Sequence, residues 1–281
     1  MESSIRRRTA LITGANSGMG RACARAFGDT LDLILTDMAP SLPAFAAELT
    51  EEGYTVREVV VGSIFDDAVL TQLVTAADVE PGMGLLVHAA GLSPALADWR
   101  NIMTVNLVAS ERLICALEPV LRPQSVAVLI ASMAGHMAPA EAKIDAMLDA
   151  PAAPAFMENM TKFIEHTAAA DVPRARQDLS YLLSKRGVIR MCERHAAAWG
   201  RKGSRIVSVS PGTIWTPMGR KEATESPGAA AILQAAPAGR WGTVMDIVAA
   251  VRFLASPQAG FISGSDLRVD GGVTACLRAG F

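Results

Sequence analysis

The chain has 281 residues, of which 51% are hydrophobic, so it has ample material for a large buried core. Its 26 Lys and Arg residues nearly balance its 28 Asp and Glu residues and no basic face stands out, so we expect no nucleic-acid partner. The four cysteines are widely spaced and no apolar run approaches the ~18 residues of a membrane span, so we expect free thiols, a cytoplasmic location and no membrane partner.

Short apolar runs, many of them β-branched, alternate along the chain with helix-like stretches. The runs predict strands at Thr9–Thr13, Leu31–Asp37, Val56–Val61, Leu85–Ala89, Val126–Ala131, Arg205–Ser210 and Asp266–Val269. The stretches between them predict helices at Gly18–Gly28, Leu42–Glu52, Asp66–Ala76, Ile102–Leu117, Ser180–Trp199 and Met245–Leu254. The central strands show little polar alternation, which is typical of strands buried on both faces. We therefore predict one α/β domain over residues 1–281, with a doubly wound parallel seven-stranded sheet and helices on both faces.

Two regions depart from this alternation. Residues 137–179 carry no strand signal, and the Ala- and Met-rich stretches Pro139–Asp149 and Ala155–Ala168 are separated by prolines. This pattern predicts a helical insertion made of two short helices. Gly219–Gly239 is rich in Ala, Gly and Pro, which predicts a mobile segment between the sixth strand and the last helix.

A glycine-rich turn, Thr13–Gly20, follows the first strand and opens the first helix. Of its glycines, one permits the tight turn from strand to helix, one lets the backbone approach a diphosphate, and one lets the helix pack on the sheet. The N-terminus of the helix then offers free N–H groups to the anion. Such a turn by itself is also compatible with a plain loop, but its place between a strand and a helix favours a Rossmann-type nucleotide site.

Asp37 stands at the end of the second predicted strand. A carboxylate at this point can accept hydrogen bonds from the adenosine ribose hydroxyls and would repel a 2′-phosphate. Ser17 and Met38 stand at the two positions where an Arg or Lys would help to bind such a phosphate. The alternative interpretation is a helix-cap or turn aspartate. We predict NAD(H) rather than NADP(H) as the cofactor.

Tyr181 and Lys185 are four residues apart on a predicted helix and therefore share one face. Tyrosine, with a pKa of about 10, is a poor base at neutral pH, and a nearby ammonium favours its phenolate form. Alone, this pair is also compatible with a surface contact. Cys192 and His195 could likewise share a helix face, but two ligands do not make a metal site, so no metal is predicted.

These features occur in one order with several others and together resemble the classical short-chain dehydrogenase/reductase family over essentially the whole chain. The resemblance rests on the Thr13–Gly20 turn, Ala89-Ala90-Gly91, Asn106, Ser132, Tyr181 with Lys185, Pro211-Gly212 and Val269-Asp270-Gly271-Gly272. It implies that Tyr181 is the acid/base and that Ser132 holds the substrate oxygen. It also implies that Lys185 binds the nicotinamide ribose and lowers the tyrosine pKa, and that Asn106 places a water of the proton relay.

The resemblance also implies cofactor contacts along the chain. Those of the first half are Gly14, Asn16, Ser17, Gly18, Met19, Gly20, Asp37, Gly62, Ser63, Ala89, Ala90 and Gly91; those of the second half are Tyr181, Lys185, Pro211, Gly212, Ile214 and Thr216. Three positions depart from the family pattern. Gly62-Ser63 replaces the usual aspartate, the insertion widens the spacing between Ser132 and Tyr181, and His88 replaces the usual asparagine. His88 either sustains the same strand-bridging hydrogen bond or is a satisfied core histidine.

The insertion, with His195–Gly200 and the Arg-containing tail after Gly272, resembles the bacterial 3α-hydroxysteroid dehydrogenase/carbonyl reductase subfamily. This resemblance implies hydride transfer between NAD(H) and a secondary alcohol or ketone on a fairly apolar, cyclic or steroid-like small molecule. The alternatives are a catalytically silent NAD-binding regulator on the same fold and a structural scaffold. A homodimer or homotetramer is expected, with the insertion serving as a lid or as an interface.

Overall fold

The strands of the computed structural model, which describes residues 7–169, 171–225, 232 and 236–280, form a single sheet. They are β1 (Thr9–Thr13), β2 (Asp32–Asp37), β3 (Val56–Val61), β4 (Met83–His88), β5 (Val126–Ile130), β6 (Arg205–Pro211) and β7 (Asp266–Val269). Within the described residues the sheet has seven strands, all parallel, in the order β3-β2-β1-β4-β5-β6-β7. The predicted doubly wound sheet is confirmed.

Helices cover both faces of the sheet. They are α1 (Gly18–Phe27), α2 (Leu42–Glu51), α3 (Asp67–Asp78), α4 (Trp99–Met103), α5 (Ser110–Leu117), α6 (Ala142–Leu148), α7 (Phe156–Thr167), α8 (Ala175–Arg201), α9 (Pro217–Glu225), α10 (Val244–Ala255) and α11 (Val273–Ala279). Successive strand residues point to opposite faces, so Leu11 packs into a core with α3, α5 and α8, whereas Ile12 packs into a second core with α1, α2 and α10. This burial of both faces explains why the central strands lack polar alternation.

The direction in which strands are added reverses at β1, which pairs with β2 on one side and with β4 on the other. The loops that follow β1 and β4 therefore separate at the carboxyl edge of the sheet and leave a crevice there. Ligands of doubly wound folds bind in such a crevice. The glycine-rich turn and Ala89–Gly91 both lie at this edge.

Two helices begin earlier than the apolar pattern predicts. α4 begins at Trp99 because the Asp98 side chain accepts hydrogen bonds from two backbone N–H groups of its first turn, both at 2.9 Å. It continues into α5 through a π-helical stretch, Thr104–Ala109. α8 begins at Ala175, directly after Arg174, which has a left-handed backbone with φ of 65°. Caps and irregular turns, which hydrophobic periodicity does not report, set these boundaries.

The two short helices predicted for residues 137–179 are confirmed as α6 and α7. Their apolar side chains extend the core that contains α8. Asp145 of α6 accepts hydrogen bonds at 2.6 and 2.7 Å from Arg186 of α8, and Asp149 accepts at 2.5 and 2.8 Å from Arg190. The insertion thus packs against α8 of its own chain.

The segment Gly219–Gly239, for which the sequence predicts mobility, begins inside helix α9, and residues 226–231 and 233–235 of it lie outside the described residues. The helix α11 after Gly272 was also not expected. The four cysteines, all within the described part of the chain, are free thiols as predicted. Among the helices of residues 7–169, 171–225 and 236–280, none combines the length and apolar character needed to cross a membrane.

Candidate active site

A cavity of about 260 Å³ opens at the crevice between β1 and β4. Gly14 adopts φ of 65°, and a Cβ atom added there would lie 2.8 Å from the backbone of Ala89 and Ala90. A Cβ atom on Gly20 would lie 2.1 Å from the carbonyl oxygen of Gly14. Both positions therefore require glycine, and the N-terminus of α1 reaches the cavity without an intervening side chain. The site suits the diphosphate of a dinucleotide.

Most of the predicted cofactor contacts line this cavity. They are Gly14, Ser17, Gly18, Met19, Gly20, Asp37, Gly62, Ser63, Ala89, Ala90, Gly91 and Thr216. Asn16 is not part of the cavity wall; its backbone N–H donates to Asp37 Oδ2 at 2.9 Å, and its side chain donates to Ser41 at 2.9 Å. Asn16 therefore positions Asp37.

Asp37 is held at the carboxyl end of β2 by two backbone donors. Oδ2 accepts from Asn16 N and Oδ1 accepts from Ala39 N, both at 2.9 Å. Each carboxylate oxygen can accept a second hydrogen bond, so both remain available to the two ribose hydroxyls. None of the described residues that line the cavity is Arg or Lys.

A second cavity of about 340 Å³ adjoins the first, and Met19, Thr216 and Met218 line both. Its wall contains Pro211, Gly212 and Ile214 of the predicted nicotinamide loop and two of the predicted catalytic residues, Ser132 and Tyr181; Asn106 and Lys185 line neither cavity. The two cavities together offer room for a dinucleotide and for a second molecule beside its reactive end.

Ser132 and Tyr181 come from different elements and meet on the wall of the second cavity. Ser132 follows β5, and its Oγ accepts a hydrogen bond from Ala134 N at 3.1 Å. Burial raises the pKa of Tyr181, the charge of Glu222 raises it further, and a hydrogen bond with the Ser132 hydroxyl lowers it. Burial thus dominates this pKa in the free protein, so the phenol is protonated at neutral pH, and the lowering of the pKa by Lys185 remains a prediction.

Lys185 lies one turn after Tyr181 on α8, and its Nζ is 5.9 Å from the centroid of the tyrosine ring. The ammonium is buried and donates to the carbonyl oxygen of Ile130 at 2.9 Å. Burial lowers its pKa to about 8. A Cβ atom added to Gly91 would lie 3.4 Å from Nζ, so the loop after β4 closes over this ammonium.

Asn106 lies in the π-helical stretch between α4 and α5 and fixes the loop after β4. Its Oδ1 accepts from Leu92 N at 2.7 Å, and its Nδ2 donates to Leu92 O at 2.9 Å and to Ser184 Oγ at 3.2 Å. The amide side chain is therefore fully used within the protein. Its predicted part in a water relay remains a prediction.

His88 bridges two elements from the end of β4. Its Nδ1 is 2.7 Å from Thr13 Oγ1 on β1, and its Nε2 is 2.7 Å from Ser110 Oγ on α5. Burial, with the charge of Lys185, lowers the pKa of His88 to about 3, so the ring is neutral. Both interpretations of His88 hold together, because a satisfied core histidine here also bridges neighbouring strands.

The wall of the second cavity also carries three ionisable residues that no sequence pattern singled out: Arg174, Asp178 and Glu222. Arg174 and Asp178 stand at the end of the insertion, and Glu222 stands in the segment expected to be mobile. The spacing of Asp178 and Tyr181, which share a helix face, was the available signal.

A separate cluster lies between α5 and α8. Cys115, His195 and Glu111 place one ligand atom each within 4.8 Å of the others, whereas Cys192 is not part of the group. Glu111 accepts from Arg194 at 2.7 and 3.1 Å and is 3.0 Å from His195 Nε2. Although burial raises the pKa of Glu111, these hydrogen bonds lower it to about 2. We interpret the cluster as an ion-pair network between two helices.

Two family models cover nearly the whole chain. The model described as short chain dehydrogenase matches residues 8–144, and the model described as enoyl-(acyl carrier protein) reductase matches residues 146–274. The chain is 30% identical to a galactitol 2-dehydrogenase (L-tagatose-forming) of Cereibacter sphaeroides over 94% of each sequence. It is 30% identical to the 3-alpha-hydroxysteroid dehydrogenase/carbonyl reductase of Comamonas testosteroni over 70% of this chain and 75% of that protein.

Solved structures share the fold. A 3-alpha-hydroxysteroid dehydrogenase from Pseudomonas sp. B-0831, complexed with NADH, has a TM-score of 0.75 at 24% identity and covers 97% of this chain and 99% of its own. A Beutenbergia cavernae protein with bound NADP has a TM-score of 0.72 at 24% identity and covers 97% of this chain and 98% of its own. At this identity the two structures support the fold alone.

Proposed function

Since the chain belongs to the short-chain dehydrogenase/reductase family, we propose that it transfers a hydride between NAD(H) and a secondary alcohol or its ketone, with Tyr181 as the acid/base. The observation that carries this proposal is the meeting of the Ser132 and Tyr181 hydroxyls on the wall of a cavity that adjoins the dinucleotide cavity. The nicotinamide supplies the hydride chemistry when it is bound.

Ser132 and Tyr181 on the wall of the second cavity, and Lys185 and Asn106 behind it, have separate tasks in this mechanism. Ser132 donates a hydrogen bond to the substrate oxygen and holds it beside Tyr181. Tyr181 takes the hydroxyl proton during oxidation as the phenolate, which the positive charges of Lys185 and of the oxidised nicotinamide favour, and as the phenol it returns the proton during reduction. Lys185 binds the nicotinamide ribose, and Asn106 keeps the loop through Leu92 closed over Lys185. Pro211 and Gly212, at the end of β6, orient the nicotinamide amide group.

The residues of the first cavity support the proposed preference for NAD(H). Solved relatives of this fold hold NADH in one case and NADP in another, so the residues of this chain must decide. The Asp37 carboxylate suits two ribose hydroxyls and repels a 2′-phosphate. No Arg or Lys among the described lining residues compensates for that repulsion.

The substrate is proposed to be partly apolar and cyclic or steroid-like. Apolar residues that line the second cavity include Pro94, Met133, Met137, Leu182 and Met218. The named relatives act on a sugar alcohol and on hydroxysteroids, so the family leaves the substrate open. The catalytically silent regulator has no support, because Ser132, Tyr181 and Lys185 are all in place.

The free cysteines support a cytoplasmic location as part of this proposal. We further propose a homodimer, because the insertion already occupies the face of α8 on which Arg186 and Arg190 lie.

Incubation with NAD⁺ and a panel of cyclic secondary alcohols tests the proposed reaction. The expected result is reduced nicotinamide, followed by its absorbance, together with the corresponding ketone. A chain that binds NAD⁺ but reduces it with no alcohol of the panel, and oxidises NADH with none of the ketones, would be the silent regulator instead.

A further inference from the structure

We propose that Glu222, together with Arg174 and Asp178, recognises a second hydroxyl group on the substrate, so that the enzyme favours a diol over a simple alcohol. This inference rests on the proposed function and narrows its substrate class. The three residues come from α9, from the end of the insertion and from α8, and they line the same cavity as Tyr181. They give an otherwise apolar cavity a polar wall.

Glu222 lies close to the reacting groups. Its carboxyl group lies on the same cavity wall as Ser132 and Tyr181, and its charge raises the pKa values of both Tyr181 and Lys185. Burial raises the pKa of Glu222 itself. The hydroxyl of the buried Ser93 lowers this pKa. A partly buried carboxylate in this position gains from a donor that enters with the substrate.

Arg174 lies on the cavity wall and has an unusual backbone conformation. It has φ of 65°, in the left-handed region that residues with a side chain rarely adopt. Such conformations persist where the surrounding structure holds them, and they cluster at ligand sites. The Arg174 charge lowers the pKa values of both Asp178 and Glu222. The three side chains therefore act as one electrostatic group.

The mixture of charges selects a neutral partner. A substrate ammonium that pairs with Asp178 or Glu222 would also approach the Arg174 guanidinium, and a substrate carboxylate that pairs with Arg174 would also approach the two carboxyl groups. A hydroxyl group can donate to a carboxylate and accept from a guanidinium without bringing net charge into the cavity. The chemical class that fits this wall is a neutral polyhydroxy compound, such as a cyclic diol.

Five substrates on one ring test this inference: cyclohexanol, the cis and trans isomers of cyclohexane-1,2-diol, 2-aminocyclohexanol and 2-hydroxycyclohexanecarboxylate. All carry the same secondary alcohol and differ only in the substituent on the neighbouring carbon. We expect kcat/KM with NAD⁺ to be at least about tenfold higher for one diol isomer than for cyclohexanol, the size of a single hydrogen bond to a charged group. We expect the ammonium and carboxylate analogues to be worse than the diol.

Two variants assign this preference to Glu222. Glu222→Leu removes both carboxylate oxygens, so kcat/KM for the preferred diol should fall to that for cyclohexanol. Glu222→Gln keeps one acceptor oxygen and should reduce the preference for the diol only in part. Glu51→Gln, an exposed carboxylate at the end of α2, is the matched control and should keep the wild-type ratio. The thermal midpoint of each variant reports folding.

A pH profile separates recognition from a structural role. The charged groups that face Tyr181 are Lys185 and Asp178 on its own helix, Arg174 before it and Glu222 on α9. Since the Glu222 charge raises the Tyr181 pKa, Glu222→Gln should move the rise of alcohol oxidation to lower pH. A merely structural loss would lower the rate without moving this rise.

The outcomes distinguish this inference from the proposed function. Tyr181-dependent oxidation of cyclohexanol with no preference for either diol, or a diol preference that survives Glu222→Leu, overturns the inference alone. A preference for the ammonium or the carboxylate analogue overturns it as well, in favour of a charged ligand. Failure to oxidise any of the substrates with either NAD⁺ or NADP⁺ overturns the proposed function and, with it, this inference.

Discussion

Replacing Asp37 with alanine should abolish the cofactor preference. In the wild-type protein each Asp37 oxygen accepts one backbone N–H at 2.9 Å and can accept one ribose hydroxyl as well. A hydrogen bond to a charged group contributes about 1.5–3 kcal/mol, so its loss should lower kcat/KM for NAD⁺ by about 10- to 150-fold. Repulsion between a carboxylate and a phosphate about 4 Å apart is on the order of 1–4 kcal/mol per unit charge, so kcat/KM for NADP⁺ should rise.

The assay is kcat/KM for both cofactors at a fixed, saturating alcohol concentration and low ionic strength. The wild-type protein should prefer NAD⁺ by at least about tenfold, or 1.4 kcal/mol, and Asp37→Ala should lose that preference. Asp37→Asn, which keeps one acceptor, checks that the loss does not come from the freed N–H groups of Asn16 and Ala39. Asp29→Ala removes an exposed carboxylate before the opposite end of β2 and serves as the neutral control. Equal kcat/KM for the two cofactors in the wild-type protein would refute the reasoning.

Three further predictions concern the rest of the site and the assembly. Lys185→Ala should lower both turnover and NAD(H) affinity because its ammonium serves the ribose and the proton transfer; a variant that loses only one of these contradicts the double role. The folded-state pKa of His88, about 3, lies below the unfolded value of about 6.5, so the unfolded chain binds more protons between these values. The free energy of unfolding therefore decreases as the pH is lowered from about 6.5 to about 3. His88 should therefore account for about 2 kcal/mol of lost stability at pH 5. Denaturant titration of the wild-type protein and of His88→Asn at pH 5 and 7 measures this loss. A variant that loses as much stability between pH 7 and 5 as the wild-type protein contradicts the prediction. Light scattering over a dilution series should show a dimer, and a stable tetramer at micromolar protein contradicts a blocked α8 face.

The cofactor end was predictable because its determinants are local. The Thr13–Gly20 turn needs glycine for contacts within a few residues or with the adjacent strand, and Asp37 sits where its strand ends. The pairing of Tyr181 with Lys185 follows from helical geometry alone. Short-range rules of this kind can be read from one sequence.

The polar wall of the substrate cavity depends on the path of the chain through space. Arg174 and Glu222 are far apart in sequence and stand in the two regions where the β–α alternation fails, so no spacing links them. The raised pKa of Tyr181 was also missed, because burial is a property of the packed fold. The π-helical stretch that carries Asn106 has no apolar signature either.

The most direct test of the account is the turnover of Tyr181→Phe beside its affinity for NADH. The ring keeps its packing on α8 while the hydroxyl that exchanges the proton is removed, so turnover should fall by about 10²- to 10⁴-fold. NADH binding, followed by nicotinamide fluorescence, should stay close to that of the wild-type protein. A Phe variant that binds NADH normally and retains more than about a tenth of wild-type turnover would contradict the assignment of Tyr181 as the acid/base.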